Sequence, residues 1–341
     1  MTPALASEAA PDWRGQLSRN QSRTQWVIAI FFLIYLSLGF LLDLYFYARL
    51  YPVAPLALIA QALLTLHLIP YATLILFGIA AISLWVTYGL YDKVILMGTD
   101  HLEVTSQSAH TAAEKKLYNV VEELTLAAGL RFMPRVFLID ADYMNAFASG
   151  YSEKSAMVAI TRGLMNKLDR SELQAVMAHE LSHIRHLDIK LTLTASVLSN
   201  IILMVVDILF YGLLYGRDDR DKRSQGLVTI VLLLRFLLPV VTLLLMLYLS
   251  RTREYMADAG CVELMRDNTP LARALIKIDQ DHQANKAVYR QQYDMTAHEE
   301  VRRAAYLYDP IQAGIEPVRS ISSLFSTHPS VKDRLKALGF Q

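Results

Sequence analysis

The chain has 341 residues, of which 54% are hydrophobic and 19% are charged, and its formal net charge is +1. This composition is too apolar for an ordinary soluble enzyme of that length, so we expect part of the chain to lie in a bilayer. The near-neutral charge predicts no nucleic-acid partner, and the single cysteine excludes an intramolecular disulfide framework, which leaves any metal site to histidine and carboxylate side chains.

The first predicted elements are a polar tail and a membrane span. Residues 1–25 are polar and include three arginines, which predicts a short mobile tail whose basic residues place that end of the chain in the cytoplasm. Residues 26–47 are apolar apart from Asp43 and are long enough to cross a hydrocarbon core. A cleaved signal peptide would have a shorter apolar core, so we predict a retained transmembrane helix.

The next apolar stretch is longer than one span requires and is interrupted by His67 and Pro70. We predict a short interfacial or hairpin segment at 55–68, followed by a spanning helix at 71–91. Residues 26–91 would then hold two transmembrane helices.

From residue 92 to residue 188 the sequence has the character of a soluble domain. Apolar side chains at helical spacing predict an amphipathic helix at 112–128. Two β-rich runs, 135–139 and 157–161, predict a small sheet. The stretch 145–150 lies between them, and we expect the edge of the sheet to lie next to the helix that follows.

That following helix carries an H-E-x-x-H motif at His179, Glu180 and His183, and Asp169 or Ser171 can cap it. Residues four apart share a helix face, so the two imidazoles can converge on one tetrahedral zinc ion. Glu180 is poorly placed to chelate from the same helix but can act as a general base toward water at the metal. The alternative is a surface helix that happens to carry two histidines and a glutamate. A chance match to the motif somewhere in a chain of this composition has a probability on the order of one in a hundred.

Residues 189–250 are predicted to form a transmembrane hairpin. Two apolar runs, 189–216 and 226–250, are joined by a charged loop at 217–225. Four alternating spans would place this loop outside, which conflicts weakly with the positive-inside rule. A buried helical hairpin of a soluble protein is the alternative.

Each arm of the hairpin contains a charge deep in its apolar run, Asp207 in the first and Arg235 in the second. Folding the hairpin about its loop brings these positions level, and intramembrane charges are costly unless paired or hydrated. We hypothesise an ion pair that fixes the register of the hairpin. The alternative is that Arg235 faces a water-filled cavity.

Directly after the hairpin, Glu254 and Asp258 lie four residues apart and share a helix face. A two-histidine zinc site needs a third protein ligand and leaves its fourth position for water. Because the hairpin begins just after His183 and ends just before Glu254, we predict Glu254 as that ligand. Asp258 is predicted to accept the spare N–H of a ligating histidine; the alternative is that both acids lie on a solvated helix face.

Four motifs resemble those of the HtpX-type integral-membrane zinc metalloproteases, relatives of the CAAX prenyl endopeptidase, over most of the chain. They are N-A-F-A-S-G at 145–150, H-E-L-S-H at 179–183, R-x-x-E-Y-x-A-D at 251–258 and F-S-T-H-P at 325–329. With the predicted spans, the resemblance implies a mainly α membrane protein with four transmembrane helices and a cytoplasmic α+β, gluzincin-like zinc protease domain with a small sheet.

The resemblance also implies site residues and a cellular role. One Zn²⁺ per chain would be held by His179, His183 and Glu254, with Glu180 as the catalyst. The expected activity is proteolysis of membrane or misfolded proteins, in protein quality control, at the cytoplasmic face of a bacterial inner membrane.

Two further places match motifs of the same family. Asn145, Ala146 and Phe147 would form an edge strand that pairs with an extended substrate by β-augmentation. His328 and Arg334 match the C-terminal motif. A histidine at 328 can stabilise the tetrahedral oxyanion; the alternative is that it only precedes a terminal helix.

The second part of the catalytic domain is predicted at 251–341. Within it, residues 281–320 are either a substrate lid or an amphipathic surface segment, and we prefer the surface segment. Two rival functions stay open: a non-proteolytic membrane scaffold clamped by zinc, and a dedicated prenyl-protein endopeptidase. Four spans are few to wall an intramembrane chamber, which disfavours the prenyl-protein endopeptidase. The predicted partners are the lipid bilayer and protein or peptide substrates; the sequence does not fix the oligomeric state.

Overall fold

The computed structural model describes residues 13–150, 152–186, 188–215, 222–296, 302–303, 305–315 and 328–340. The chain divides into two compact units. The first comprises Met1–Thr24, Tyr88–Thr192 and Leu247–Gln341, and the second comprises Gln25–Thr87 and Leu193–Met246.

The described elements are mostly helices, with one small sheet. In chain order they are α1 (Trp13–Leu50), α2 (Leu56–Leu64), α3 (Tyr71–Leu96), β1 (His101–Val104), α4 (Ala112–Ala127), β2 (Arg135–Ile139), β3 (Ala146–Ser149), a 3₁₀ turn (Glu153–Ser155), β4 (Met157–Thr161), α5 (Arg162–Lys167), α6 (Arg170–Arg185), α7 (Asp188–Tyr215), α8 (Lys222–Met265), α9 (Thr269–Ala284), α10 (Lys286–Met295), a second 3₁₀ turn (Pro310–Ala313) and α11 (Val331–Ala337).

Two helices in the described part of the chain are long and apolar enough to cross a membrane. They are the Ala29–Leu50 part of α1 and the Val231–Met265 part of α8. Shorter apolar stretches, Tyr71–Thr87 in α3 and Leu198–Tyr211 in α7, occupy the places of the other two predicted spans. The structure therefore supports two of the four predicted transmembrane helices by length and composition.

Helix α1 is longer than the span predicted within it. It begins at Trp13, so residues 13–25, expected to be a mobile tail, are helical; residues 1–12 lie outside the described residues. Sequence from Pro11 to Pro52 contains no other proline. A helix gains one hydrogen bond for each residue added once it has nucleated. The helix of the apolar span therefore extends into the polar segment that precedes it.

Helix α8 is also longer than its predicted arm. It begins at Lys222, inside the predicted loop 217–225, and residues 216–221 lie outside the described residues. The helix continues past the apolar run as far as Met265. A single helix therefore carries both the second hairpin arm and the predicted ligand Glu254.

Asp43, the only charge in the first apolar run, caps another helix of the second unit. Its Oδ1 accepts the N–H of Ala72 at 2.7 Å, and its Oδ2 accepts the N–H and the hydroxyl of Thr73 at 3.0 and 2.7 Å. These donors belong to the first turn of α3, whose N–H groups have no partner within the helix. Both oxygens of the buried carboxylate therefore accept hydrogen bonds from the start of α3.

The structure confirms the hypothesised ion pair between Asp207 and Arg235. Arg235 Nη1 donates to Asp207 Oδ1. The guanidinium also lies over the ring of Phe210, with its central carbon 4.4 Å from the ring centroid. Opposite charges in the two apolar arms are therefore compensated within the second unit, as the register argument requires.

The sheet of the first unit has the strand order β1-β2-β4-β3. β2 and β4 are parallel, whereas β1 pairs antiparallel with β2 and β3 pairs antiparallel with β4. The structure gives β2 and β4 their predicted bounds and places β3 at an edge, as expected. Strand β1 was not predicted, because Val104 is the one residue of a strongly β-favouring type among its four residues.

Helix α4 is the predicted amphipathic helix, and it packs against α6, the helix with the H-E-x-x-H motif. Thr111 and Glu114 form a capping box in which each side chain accepts the other residue's backbone N–H, at 3.1 and 3.0 Å. The helix ends before Gly129, whose φ of 69° favours glycine. Of the predicted apolar stripe, Ala128 is half-buried and the other four residues are buried: Leu117, Val120, Val121 and Leu124.

The described part of 281–320 is more deeply packed than a surface segment. Helix α10 exposes Val288 but buries Tyr289 and Tyr293. The residues from Tyr306 to Asp309 are also buried. Among the described residues, the preferred surface interpretation therefore holds for the outer face of α10 and fails for 306–309.

Candidate metal centre

Helix α6 begins with a capping box that fixes the start of the motif helix. Asp169 Oδ1 accepts the N–H of Glu172 at 2.9 Å, and Glu172 Oε2 accepts the N–H of Asp169 at 3.0 Å. Of the two predicted caps the structure uses Asp169, whose negative charge also suits a helix N-terminus. Ser171 already lies within the first turn.

Helix α8 approaches α6 closely at Gly260. A Cβ at this position would lie 2.5 Å from Ser182 Oγ and 2.9 Å from Ser182 Cβ, which is too close for any other residue without displacement. Ser182 directly precedes His183. The close approach therefore brings Glu254 and Asp258 of α8 up to the histidine face of α6.

The three predicted ligands converge. His179 Nε2 and His183 Nε2 are 3.2 Å apart. The Glu254 carboxylate lies 3.6 Å from each, through Oε2 to His179 and Oε1 to His183. One ligand atom from each residue lies within 4.8 Å of the others.

A divalent cation fits this set of donor atoms. His179 Nδ1 lies 3.0 Å from Asp258 Oδ1, and His183 Nδ1 lies 2.9 Å from Asp188 Oδ2. Carboxylates accept N–H, so each ring carries its proton on Nδ1 and turns the lone pair of Nε2 toward the other ring. Two facing lone pairs repel one another unless a cation lies between them.

The spacing of the donor atoms suits zinc. Nitrogen and oxygen ligands about 2.0–2.2 Å from a tetrahedral zinc ion are about 3.4 Å from one another. The observed separations are 3.2 Å between the histidine nitrogens and 3.6 Å from each to the Glu254 carboxylate. The residues present could therefore hold a tetrahedral zinc ion.

Buried charges shift the pKa values around this centre. Burial alone would raise the pKa of both carboxyls, but His328 beside Glu254 and the Arg334 guanidinium beside Asp258 outweigh it. The pKa of Glu254 therefore lies well below its usual value, and the pKa of Asp258 is lowered. Burial would lower the pKa of His179, but hydrogen bonds to Asp258 and Glu254 raise it to about 9. The surroundings of His179 stabilise a positive charge, so a metal ion and a proton compete for this histidine.

Glu180 is buried beside the converging nitrogens. Both of its carboxylate oxygens lack a hydrogen-bond partner among the described residues. Burial raises the pKa of Glu180 above its ordinary value. A carboxylate with a raised pKa and two unengaged oxygens can accept a proton from water and pass it on.

The structure also places His328 at the centre. Its Nδ1 lies 3.3 Å from Glu254 Oε1, and the side chain is buried. Two residues later Ser330 caps α11 by accepting the N–H of Asp333 at 3.1 Å. Both interpretations of His328 thus describe its position, because it precedes a terminal helix and contacts a predicted metal ligand. Residues 325–327 of the same motif lie outside the described residues.

The side chain of Asn145 is engaged by the protein itself. Asn145 Nδ2 donates to the carbonyl of Tyr308 at 2.9 Å, and Asn145 Oδ1 accepts the N–H of Tyr308 at 3.2 Å. Asn145 is buried. Its side chain therefore fixes the 306–308 segment next to β3.

The outer edge of β3 carries backbone contacts from the same segment. Leu307 N–H donates to the carbonyl of Ala146 at 2.8 Å, and Phe147 and Tyr306 form an antiparallel bridge. Ala146 and Phe147 are the positions at which the sequence analysis predicted backbone pairing with a substrate. Substrate pairing there stays a prediction, and it would require the 306–308 segment to move.

Two residues near the centre were missed by the sequence analysis. Asp188 contacts His183, and Arg253 donates from Nη1 to the carbonyl of Asp188 at 2.8 Å. A signal for Asp188 was present, since it is a lone acid between the H-E-x-x-H motif and a long apolar run. Arg253 offered no such signal, because arginines beside a membrane span are common.

Comparison with known proteins places the chain among peptidases. Residues 111–339 match peptidase family M48. A protein of Helicobacter pylori (strain Shi470) named "Protease HtpX homolog" is 36% identical over 322 residues, which cover 94% of this chain and 96% of that protein. A protein of Dictyoglomus thermophilum with the same name is 37% identical over 268 residues, covering 77% of this chain and 81% of that protein.

A solved structure is also similar to the chain. The crystal structure of S. mikatae Ste24p matches with a TM-score of 0.46 and 18% sequence identity, covering 77% of this chain and 57% of that chain.

Proposed function

The chain belongs to peptidase family M48 and is a membrane metalloprotease, and from that premise we propose that it is a zinc-dependent endopeptidase. The observation that carries this proposal is the convergence of His179, His183 and Glu254 beside the buried carboxylate of Glu180. We propose cleavage of membrane or misfolded proteins at the cytoplasmic face of a bacterial inner membrane, in protein quality control. The basic residues before the first span support that orientation.

In the proposed reaction His179, His183 and Glu254 would hold the zinc ion. Bound zinc would supply a Lewis acid that polarises the scissile carbonyl and lowers the pKa of water. Glu180 takes a proton from the attacking water and then passes it to the leaving amine. His328, buried beside Glu254, is the proposed donor to the oxyanion that develops on the carbonyl.

The substrate is proposed to bind as an extended chain at the outer edge of β3. Backbone groups of Ala146 and Phe147 would pair with it after the 306–308 segment leaves that edge. A cavity of about 240 Å³ beside His328, with Tyr255 and Asp333 in its lining, offers space for a substrate side chain.

The two rival functions receive less support. A zinc-clamped scaffold needs a closed site with four protein ligands, and it leaves the unengaged carboxylate of Glu180 without a role. No observation in the described residues favours a prenylated substrate over an unmodified one.

The test is a proteomic comparison of membranes that contain the wild type or Glu180→Gln, with zinc measured in both purified proteins. We expect one zinc per chain in both, and substrate fragments only with the wild type, because glutamine cannot take up the proton. Glu263→Gln, at an exposed ion pair with Arg185, serves as the control. Wild-type cleavage by Glu180→Gln would contradict the catalytic assignment, and a zinc-free wild type would contradict zinc dependence.

A further inference from the structure

His183 is oriented by a residue that lies outside the H-E-x-x-H motif. His183 Nδ1 lies 2.9 Å from Asp188 Oδ2, and the Asp188 side chain is 2% exposed. Asp188 is the first residue of α7 and follows the C-cap of α6 at His186 by two positions. The hydrogen bond therefore joins the last turn of the motif helix to the first turn of the next helix.

Asp188 is itself held in place from α8. Arg253 Nη1 donates to the backbone carbonyl of Asp188 at 2.8 Å, and Arg253 is buried. Arg253 directly precedes Glu254, the third predicted ligand. One turn of α8 thus supplies a carboxylate to the metal centre and a guanidinium to the residue that orients His183.

His179 has a comparable arrangement on the other side of the centre. Its Nδ1 faces Asp258, and Arg334 holds that carboxylate with two hydrogen bonds. Each predicted histidine ligand therefore faces an aspartate, and a buried arginine contacts each aspartate, Arg334 through the carboxylate of Asp258 and Arg253 through the backbone carbonyl of Asp188. The histidine–aspartate contact that the two sides share indicates a common task, which is to fix the tautomer and the ring orientation of each histidine.

We propose that Asp188 is a positioning residue of the metal centre, which keeps the proton of His183 on Nδ1 and aims its Nε2 at the zinc ion, while Arg253 holds Asp188 in place. This inference rests on the proposed function. Because Asp188 begins α7, the orientation of His183 depends on how that helix starts. Partners of this kind typically contribute a factor of about 10–100 in metal affinity.

The test measures zinc affinity of the full-length protein in detergent by competition with a chelator. We expect Asp188→Ala to weaken zinc binding by about 10–100-fold. Asp188→Asn should weaken it less, because its amide oxygen can still accept the N–H of His183. In the cobalt-substituted protein, the visible absorption bands should shift in both variants, since a reoriented ligand changes the coordination geometry.

The matched control is Glu172→Gln, which alters a buried acid at the opposite end of α6. It should lower the thermal unfolding midpoint and leave zinc affinity and the cobalt spectrum unchanged. Where Asp188→Ala does not fold, Asp188→Asn provides the measurement. Wild-type affinity and an unshifted spectrum in a folded Asp188 variant would overturn the proposal. Failure of the proposed function is distinguishable, because it would appear either as a wild type that binds no zinc or as wild-type cleavage by Glu180→Gln, and neither result depends on Asp188.

Discussion

Arg334 holds Asp258 with two hydrogen bonds, Nη2 to Oδ1 at 2.6 Å and Nε to Oδ2 at 3.0 Å. Both side chains are buried, and Asp258 Oδ1 also faces Nδ1 of His179. A third hydrogen bond runs from Arg334 Nη1 to the carbonyl of Leu307 at 2.8 Å. Arg334 thus connects α11 to the carboxylate that faces the predicted ligand His179 and to the segment beside β3.

Removal of Arg334 should destabilise the protein and weaken zinc binding. Arg334→Ala leaves the buried charge of Asp258 without its guanidinium partner, which costs about 3–5 kcal/mol. Arg334→Lys should recover only part of this loss, because lysine cannot form the planar two-bond contact. Thermal unfolding in detergent and chelator competition measure the two effects. Equal stability in Arg334→Lys and the wild type would show that the paired geometry does not matter.

Substitution of Gly260 should separate α8 from α6. Gly260→Ala places a methyl group against Ser182, so we expect lower zinc affinity and an unfolding midpoint several degrees lower. Combining it with Ser182→Gly removes the contacted Oγ and Cβ and should restore much of the affinity. A double variant as weak as Gly260→Ala alone would rule out the steric explanation.

Stability should fall in acid because of His282. Burial lowers the pKa of His282 from 6.5 to about 4, with Nδ1 donating to Ile278 and Nε2 accepting from Tyr293. The unfolded chain binds a proton at His282 more tightly than the folded chain does. The stability that neutral His282 contributes is therefore complete above pH 6.5 and is lost as the pH falls toward 4. The loss should reach about 3 kcal/mol. The free energy of unfolding should depend less steeply on pH across this range in His282→Gln than in the wild type. An equal slope in the two proteins would show that other groups cause the loss of stability.

Weakening the contact at the edge of β3 should favour substrate binding there. Leu307→Pro removes the N–H that Ala146 accepts, whereas Leu307→Ala keeps it and loses only side-chain packing. We therefore expect a lower KM for an extended peptide with Leu307→Pro than with Leu307→Ala. Equal KM values in the two variants would indicate that substrates bind elsewhere.

The ion pair between Asp207 and Arg235 should show strong coupling. Asp207→Asn or Arg235→Leu leaves one charge in an apolar arm unpaired, which should cost about 2–3 kcal/mol in the membrane-inserted protein. The exchange Asp207→Arg with Arg235→Asp should recover part of that loss, though not the contact with Phe210. If the exchange variant lost as much stability in thermal unfolding as the two single substitutions Asp207→Arg and Arg235→Asp lose together, the ion pair would have no support.

Local sequence patterns were sufficient for several elements of the fold. The bounds of β2 and β4 and the buried stripe of α4 follow from residue types within a few positions of one another. The same holds for His179 and His183, because a spacing of four on a helix places two side chains on one face. The start of α1 at Trp13 could not be predicted in this way, since helix propagation extends beyond the apolar run.

By itself the sequence determined the histidine pair, its neighbouring base and an acidic candidate for the third ligand. Only the tertiary structure decided which distant residues contact and hold the residues of the site. Arg253 and Asp188 are 65 positions apart, Arg334 and Asp258 are 76 apart, and Tyr308 and Asn145 are 163 apart. Contacts over such separations leave no periodic pattern in the sequence, because they depend on how packed helices and strands bring distant side chains together.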